Sequence, residues 1–148
     1  MTSKSKPVHP VALVYLEEID KEYKIEVVDS IKSRNGTYEI ISVPFFAKHL
    51  AIGDLVTVEN DEGVHYFDSI AKRSGHSTVR LLFKTEGDIS KATDDLQHLG
   101  TKVYRYRESV LLGIDIPPSV NYQNIKEYLK QGEKVSKWEY EEACLGWK

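Results

Sequence analysis

Apolar and polar positions change period midway along the chain, from the two-residue repeat of strands towards the 3.6-residue repeat of helices. Val11 to Leu16 (VALVYL) is a short apolar run rich in β-formers, and Tyr23 to Val28 (YKIEVV) opens with the alternation of a half-buried strand. Asn35-Gly36 predicts a turn, because both residues tolerate positive φ, and Thr37 to Val43 returns as a strand that Pro44 ends. Phe45 to Leu50 reads as one helical turn, with Phe45 and Phe46 plugging a barrel end. Leu55 to Val58 and Val64 to Ile70 then form a hairpin around the polar tip Asn60-Asp61-Glu62-Gly63. Such a series of short strands predicts a small barrel or a curled sheet.

Past residue 73 the pattern alternates between strands and helices. Thr78 to Lys84 places Val79, Leu81 and Phe83 on one face. Ile89, Ala92, Leu96 and Leu99 make a helical stripe, with Asp88 or Ser90 as N-cap and Gly100 just past the end. Lys102 to Arg107 and Val110 to Ile116 pair about a turn at Glu108-Ser109. Ser119 or Asn121 caps a second helix whose face is Tyr122, Ile125, Tyr128 and Leu129 and which Gly132 ends; Val135 to Glu142 is the last strand. The order β-α-β-β-α-β predicts a ferredoxin-like sandwich. The fold class is α+β: a small N-terminal β-barrel or curled sheet over residues 9–73, then a ferredoxin-like βαββαβ sandwich over 74–148. The two are read as lobes or as one integrated domain, since only a loop, Arg73 to Ser77, separates them.

Composition narrows the class without naming a function. A chain that is 41% hydrophobic and 29% charged is too apolar for disorder and large enough for its own core. A formal charge of −3 supplies no general attraction to nucleic acid or anionic membrane. One cysteine, Cys144, leaves no internal disulfide and suits a reducing, cytoplasmic compartment. Residues 1–8 read as a frayed polar arm, without the apolar core of a secretory signal.

Candidate chemistry is sparse. In Ser74-Gly75-His76-Ser77-Thr78 a hydroxyl neighbours a histidine, but adjacent residues on an extended segment point apart and no strand-to-helix elbow presents the serine. A glycine-hinged turn with hydroxyls bonded to backbone accounts for the segment. Glu141 and Glu142 disfavour a Cys144 thiolate. His9, His49, His65, His76 and His98 show no metal-ligand spacing, and no phosphate-binding glycine loop occurs. Neither metal nor cofactor is expected. Tyr104-Arg105-Tyr106-Arg107 interleaves rings and cations as a nucleic-acid surface can. The strand after it, Leu111 to Ile116, has no ring, and the motif falls on an edge strand where charge blunts unwanted pairing.

Two acidic features remain. Between His49 and Ala71 there is no lysine or arginine, while Asp54, Glu59, Asp61, Glu62 and Asp68 occur. Near the C-terminus stand Trp138, Glu139, Tyr140, Glu141 and Glu142, then Trp147. Aromatic anchors beside carboxylates suit a surface that grips a basic partner.

Asn35-Gly36-Thr37-Tyr38-Glu39-Ile40, Val43-Pro44-Phe45-Phe46-Ala47, Ile52-Gly53-Asp54 and Ser74 to Arg80 resemble an uncharacterised bacterial family, domain of unknown function 4265. Asp115-Ile116-Pro117-Pro118 and Trp138 to Cys144 resemble the same family. The resemblance carries no catalytic residues. Some small bacterial families of this kind are immunity proteins that neutralise a toxin domain. The expectation is therefore a non-catalytic binding protein of the immunity type, with Asp54, Glu59, Asp61, Glu62, Glu139, Glu141 and Glu142 as charge contacts and Trp138, Tyr140 and Trp147 as anchors. The alternative is a small-ligand sensor with a pocket between the lobes near His76 and Arg80.

Overall fold

The computed structural model describes residues 6–147, so Met1–Ser5 of the expected N-terminal arm lie outside the described residues. Strands β1 (Val8–Leu16), β2 (Tyr23–Lys32), β3 (Tyr38–Ile40), β4 (Leu55–Asp61) and β5 (Val64–Lys72) pair in succession and antiparallel. β1 also meets β5, in parallel and at the single position Ala12↔Tyr66, which closes the sheet on itself. β1 begins three residues before the apolar run predicts, because Val8 to Pro10 already pair with Asp29 to Ile31.

The turn chemistry follows the sequence. Asn35 (φ 58°) and Gly36 (φ 73°) are both left-handed, and so are Glu62 (φ 51°) and Gly63 (φ 85°) at the β4–β5 tip. Inside the ring, Val11, Leu13, Val28, Tyr38, Ile40 and Val56 pack around Ala47 and Leu50, which the β3–β4 connection brings in from one end. The helical turn expected at Phe45 to Leu50 is absent. Its amides are taken instead by Glu26, whose carboxylate accepts from the N–H groups of Phe45 (2.6 Å), Phe46 (3.0 Å) and Ala47 (2.9 Å). A carboxylate on these first amides is compatible with a helix start, but the carbonyls of Pro44 and Phe46 accept from Arg80 and the His49 N–H donates to Ala143 O, so no helical ladder forms.

The remainder is β6 (Ser77–Phe83), α1 (Ile89–His98), β7 (Lys102–Arg105), β8 (Leu111–Ile116), α2 (Tyr122–Lys134) and β9 (Trp138–Cys144). The antiparallel sheet runs β7-β8-β6-β9, so β8 lies between the strands that α1 joins and β6 between those that α2 joins. Both helices cover one face, where Val79, Leu81, Phe83, Leu96, Leu112, Ile114, Ile125 and Leu129 form the second core. Asn121 caps α2 by accepting from the Gln123 N–H, whereas Asp88 makes no side-chain cap on α1. Gly132 does not end α2, which runs two residues further. It gives room to Trp138: a Cβ there would lie 1.9 Å from the indole Cζ2. The last strand accordingly starts at Trp138, after a turn through Ser136 (φ 61°), and not at Val135.

Candidate functional site

The connection between β3 and β4 lies between the ring and the open face of the second sheet, and opposite charges hold it from two sides. Glu26 binds its amides, as described above. From the sheet, Arg80 Nη1 donates to the carbonyls of Pro44 (3.2 Å) and Ala47 (2.9 Å), and Nη2 to that of Phe46 (3.2 Å). The Arg80 Nε donates to Glu141 Oε1 at 2.8 Å. Thr78 Oγ1 donates to Leu50 O (3.0 Å), and His49 N to Ala143 O (2.9 Å). Gly113 lets the segment approach, since a Cβ there would meet Val43 Cγ1 at 2.4 Å. Burial alone would raise the Glu141 pKa, but Arg80 and then Lys48 outweigh it and hold the carboxyl below its ordinary value.

This arrangement corrects several expectations. Arg80 is buried and committed to protein partners, so it cannot anchor a ligand in a pocket with His76. His76 instead holds the buried Asp115 through Nδ1 (2.7 Å). The Ser74 hydroxyl donates to Ile52 O and accepts from His76 N, so its proton is not directed at the imidazole. Asp54, expected on the surface, is 1% exposed and caps the turn before β4, accepting from Ala51 N (2.9 Å) and Ser74 N (2.8 Å). Trp138 is 3% exposed, its Nε1 donating to Leu129 O, so it is a core residue and no surface anchor.

The other C-terminal carboxylates are engaged. Glu139 pairs with Lys84 (3.2 Å) and Glu141 with Arg80 and Lys48. Glu142 pairs with Lys126 (2.8 Å) and accepts from the Tyr122 hydroxyl, which burial and that carboxylate keep protonated. Tyr140 is half-buried against the helix-side core under Lys126, and Trp147 is exposed and tilted on Tyr122 (4.6 Å). Cys144 is buried, and burial pushes its thiol pKa up. Among the described residues no group of three or more His, Cys, Asp or Glu could hold a metal ion, and no helix is long and apolar enough to cross a membrane.

What stays on the surface is the β4–β5 tip, with Glu59, Asp61 and Glu62 exposed, and a face that the charge reading passed over. Along the outside of the β1–β2 hairpin, Val14, Leu16, Tyr23, Ile25 and Val27 are each between 46% and 76% exposed. Val14 stands across from Ile25, Leu16 from Tyr23, and Ala12 from Val27, so these side chains form one stripe. The signal was in the sequence: VALVYL is apolar without alternation, which on an antiparallel strand means that both faces are apolar.

Two cavities flank this hairpin. One, of about 630 Å³, opens where β1 and β5 part beyond their single bridge; Leu13, Leu50, Phe67 and Ile70 line it, with Glu18, Lys48 and His49 also among its walls. The other, of about 600 Å³, lies beside β2 and reaches Arg105, Tyr106 and Arg107. Tyr15 and Phe46, stacked at 5.9 Å, line both.

Comparison with known proteins places the chain. No curated protein matches it. A solved structure, described as a novel crystal structure of a hypothetical protein from Neisseria gonorrhoeae, is similar in fold, with a TM-score of 0.83 and 24% identity over 98% of this chain and 100% of that one. The family described as Domain of unknown function (DUF4265) matches residues 26–140, from the carboxylate that binds the β3–β4 connection to the strand that carries the partner of Arg80, and the chain belongs to that family.

Proposed function

We propose that this protein is a non-catalytic binding protein of the immunity type, which neutralises a basic toxin domain by covering it with the outer face of the β1–β2 hairpin. The observation that carries the reading is the stripe of Val14, Leu16, Tyr23, Ile25 and Val27, exposed on one face of two long paired strands. Contiguous apolar surface of this kind marks an interaction site, and burying it stabilises a complex by about 25 cal/mol per Å². Carboxylates stand at both ends of the stripe: Glu17, Glu18, Asp20 and Glu22 in the β1–β2 turn, where Asp20 also pairs with Lys24 and Glu18 with Lys48, and Glu59, Asp61 and Glu62 at the β4–β5 tip. An apolar centre between acidic ends suits a partner with an apolar patch and a basic rim, and the charges speed encounter.

The test is co-expression with the product of the gene immediately upstream, comparing the natural chain with a Val14→Asp/Tyr23→Asp variant. Both side chains point outward, so the variant folds, as circular dichroism would verify. Co-purification and growth rescue by the natural chain, both lost in the variant, are expected. Rescue that survives in the folded variant sinks this surface, and absence of any complex or rescue sinks the reading itself.

A further inference from the structure

We infer that the cavity beside β2 is a binding site for a ligand with a flat aromatic body and one anionic group. β2 pairs with β3 only from Ser30 onward, so its edge from Tyr23 to Val28 is left without a strand on that side. The β3–β4 connection and the turn after β7 approach this edge and border a half-open cleft of about 600 Å³, within the roughly 300–1,000 Å³ range of small-molecule sites.

The walls define the chemistry. Phe46 stacks on Tyr15 (interplanar angle 13°) and meets Tyr106 edge-on at 4.9 Å, while Phe45 lies 5.2 Å from Tyr106. A cluster that offers both ring faces and ring edges accepts a planar aromatic guest. The Arg107 guanidinium lies 5.1 Å from the centre of the Tyr106 ring and, among the described residues, has no carboxylate within 4.0 Å. Arg105 differs, being held by Glu86 at 2.9 Å and by Ser109 O. The acid lining the cavity, Glu26, does not answer Arg107 either, because its two oxygens accept from the amides of Phe45, Phe46 and Ala47.

The backbone supplies a second, independent observation. Arg107 is left-handed (φ 49°), a conformation that costs a non-glycine residue free energy and that concentrates at functional sites. A glycine would make this turn without strain, yet the position carries a cation that lines a cavity. The tyrosine–arginine alternation of residues 104–107 thus has a use that does not involve nucleic acid: Tyr106 and Arg107 form a stacking ring and an anion anchor on one wall.

The probe is 8-anilinonaphthalene-1-sulfonate, a flat aromatic anion, read by fluorescence against its uncharged analogue N-phenyl-1-naphthylamine. Arg107→Gly removes the cation and relieves the strained φ, so the variant stays folded with an unchanged or higher Tm. The natural chain is expected to bind the sulfonate saturably at one site. Arg107→Gly is expected to raise its Kd at least tenfold, while leaving the weaker binding of the uncharged analogue unchanged. A sulfonate Kd within twofold of the natural chain in Arg107→Gly overturns the proposal. So does equal affinity for probe and analogue, which would mean that apolar contact alone holds both and no cation anchors the sulfonate. The cavity shares Ile25 and Val27 with the hairpin stripe, but Arg107 lies outside the stripe and Val14 and Tyr23 outside the cavity, so Arg107→Gly tests the cavity and Val14→Asp/Tyr23→Asp the partner face separately.

Discussion

At the scale of single residues, two positions do work that their type does not announce. Gly132 lies inside α2, where alanine is intrinsically better by about 1 kcal/mol. A methyl group would strike the Trp138 ring, however, and forcing extra volume into a packed core costs about 1–3 kcal/mol. Gly132→Ala is therefore expected to lower Tm despite its helix propensity; an increase in Tm on thermal denaturation would show that the ring has room to move. Arg80→Met tests the other position. It leaves the carbonyls of Pro44, Phe46 and Ala47 without their donor and Glu141 without its closest cation. Glu141, 44% exposed, can return to water, but leaving buried carbonyls without their donor costs about 1–3 kcal/mol each, a Tm loss of several degrees for a chain of this size. Neither role was legible beforehand, because both depend on what the fold brings opposite: an indole six residues on, and three carbonyls from the other half of the chain.

Elements were read better than side-chain roles. The alternating strands, the Asn35-Gly36 turn and the stripes of α1 and α2 follow from local chemistry, and their order survives in the structure. Asn121 caps α2 as its side chain predicts. The misreading at Phe45 to Leu50 has a physical cause: the apolar spacing allows a helical turn, but Arg80 and Ala143, distant in sequence, take the carbonyls and the amide that its ladder would use. The acidic surface was half legible. Charge pattern found the β4–β5 tip, but it could not separate Asp54, which sits within a turn, from its exposed neighbours. Ring closure leads to a further prediction. Because β5 joins β1 only at Ala12↔Tyr66, amides on that edge beyond Tyr66 are expected to exchange with solvent far faster than those of β6, which has strands on both sides. Equal protection of the two strands in native-state hydrogen exchange would mean that the seam is closed in solution.

For the molecule as a whole, the ion pair between β6 and β9 couples stability to pH. Glu141 titrates below its ordinary value, so the unfolded chain takes up its proton first as the solution is acidified. The pair's contribution is complete above the ordinary glutamate range and is lost as pH falls through the lower folded-state value. Glu141→Gln is therefore expected to flatten the dependence of Tm on pH between roughly pH 5 and pH 3, with little change of slope near neutrality. An unaltered acid limb would exclude Glu141 as its source. The clamp on the β3–β4 connection also has a consequence in time. Residues 44–47 leave the ribosome before Arg80 does, so the emerging first half has Glu26 for their amides but not yet the donor that takes their carbonyls in the finished fold. Synthesis of the second half, more than thirty residues later, completes the polypeptide's internal neutralisation of this segment. Full hydrogen bonding of this segment thus waits on the second half, and a chain cut before Arg80 would lack it.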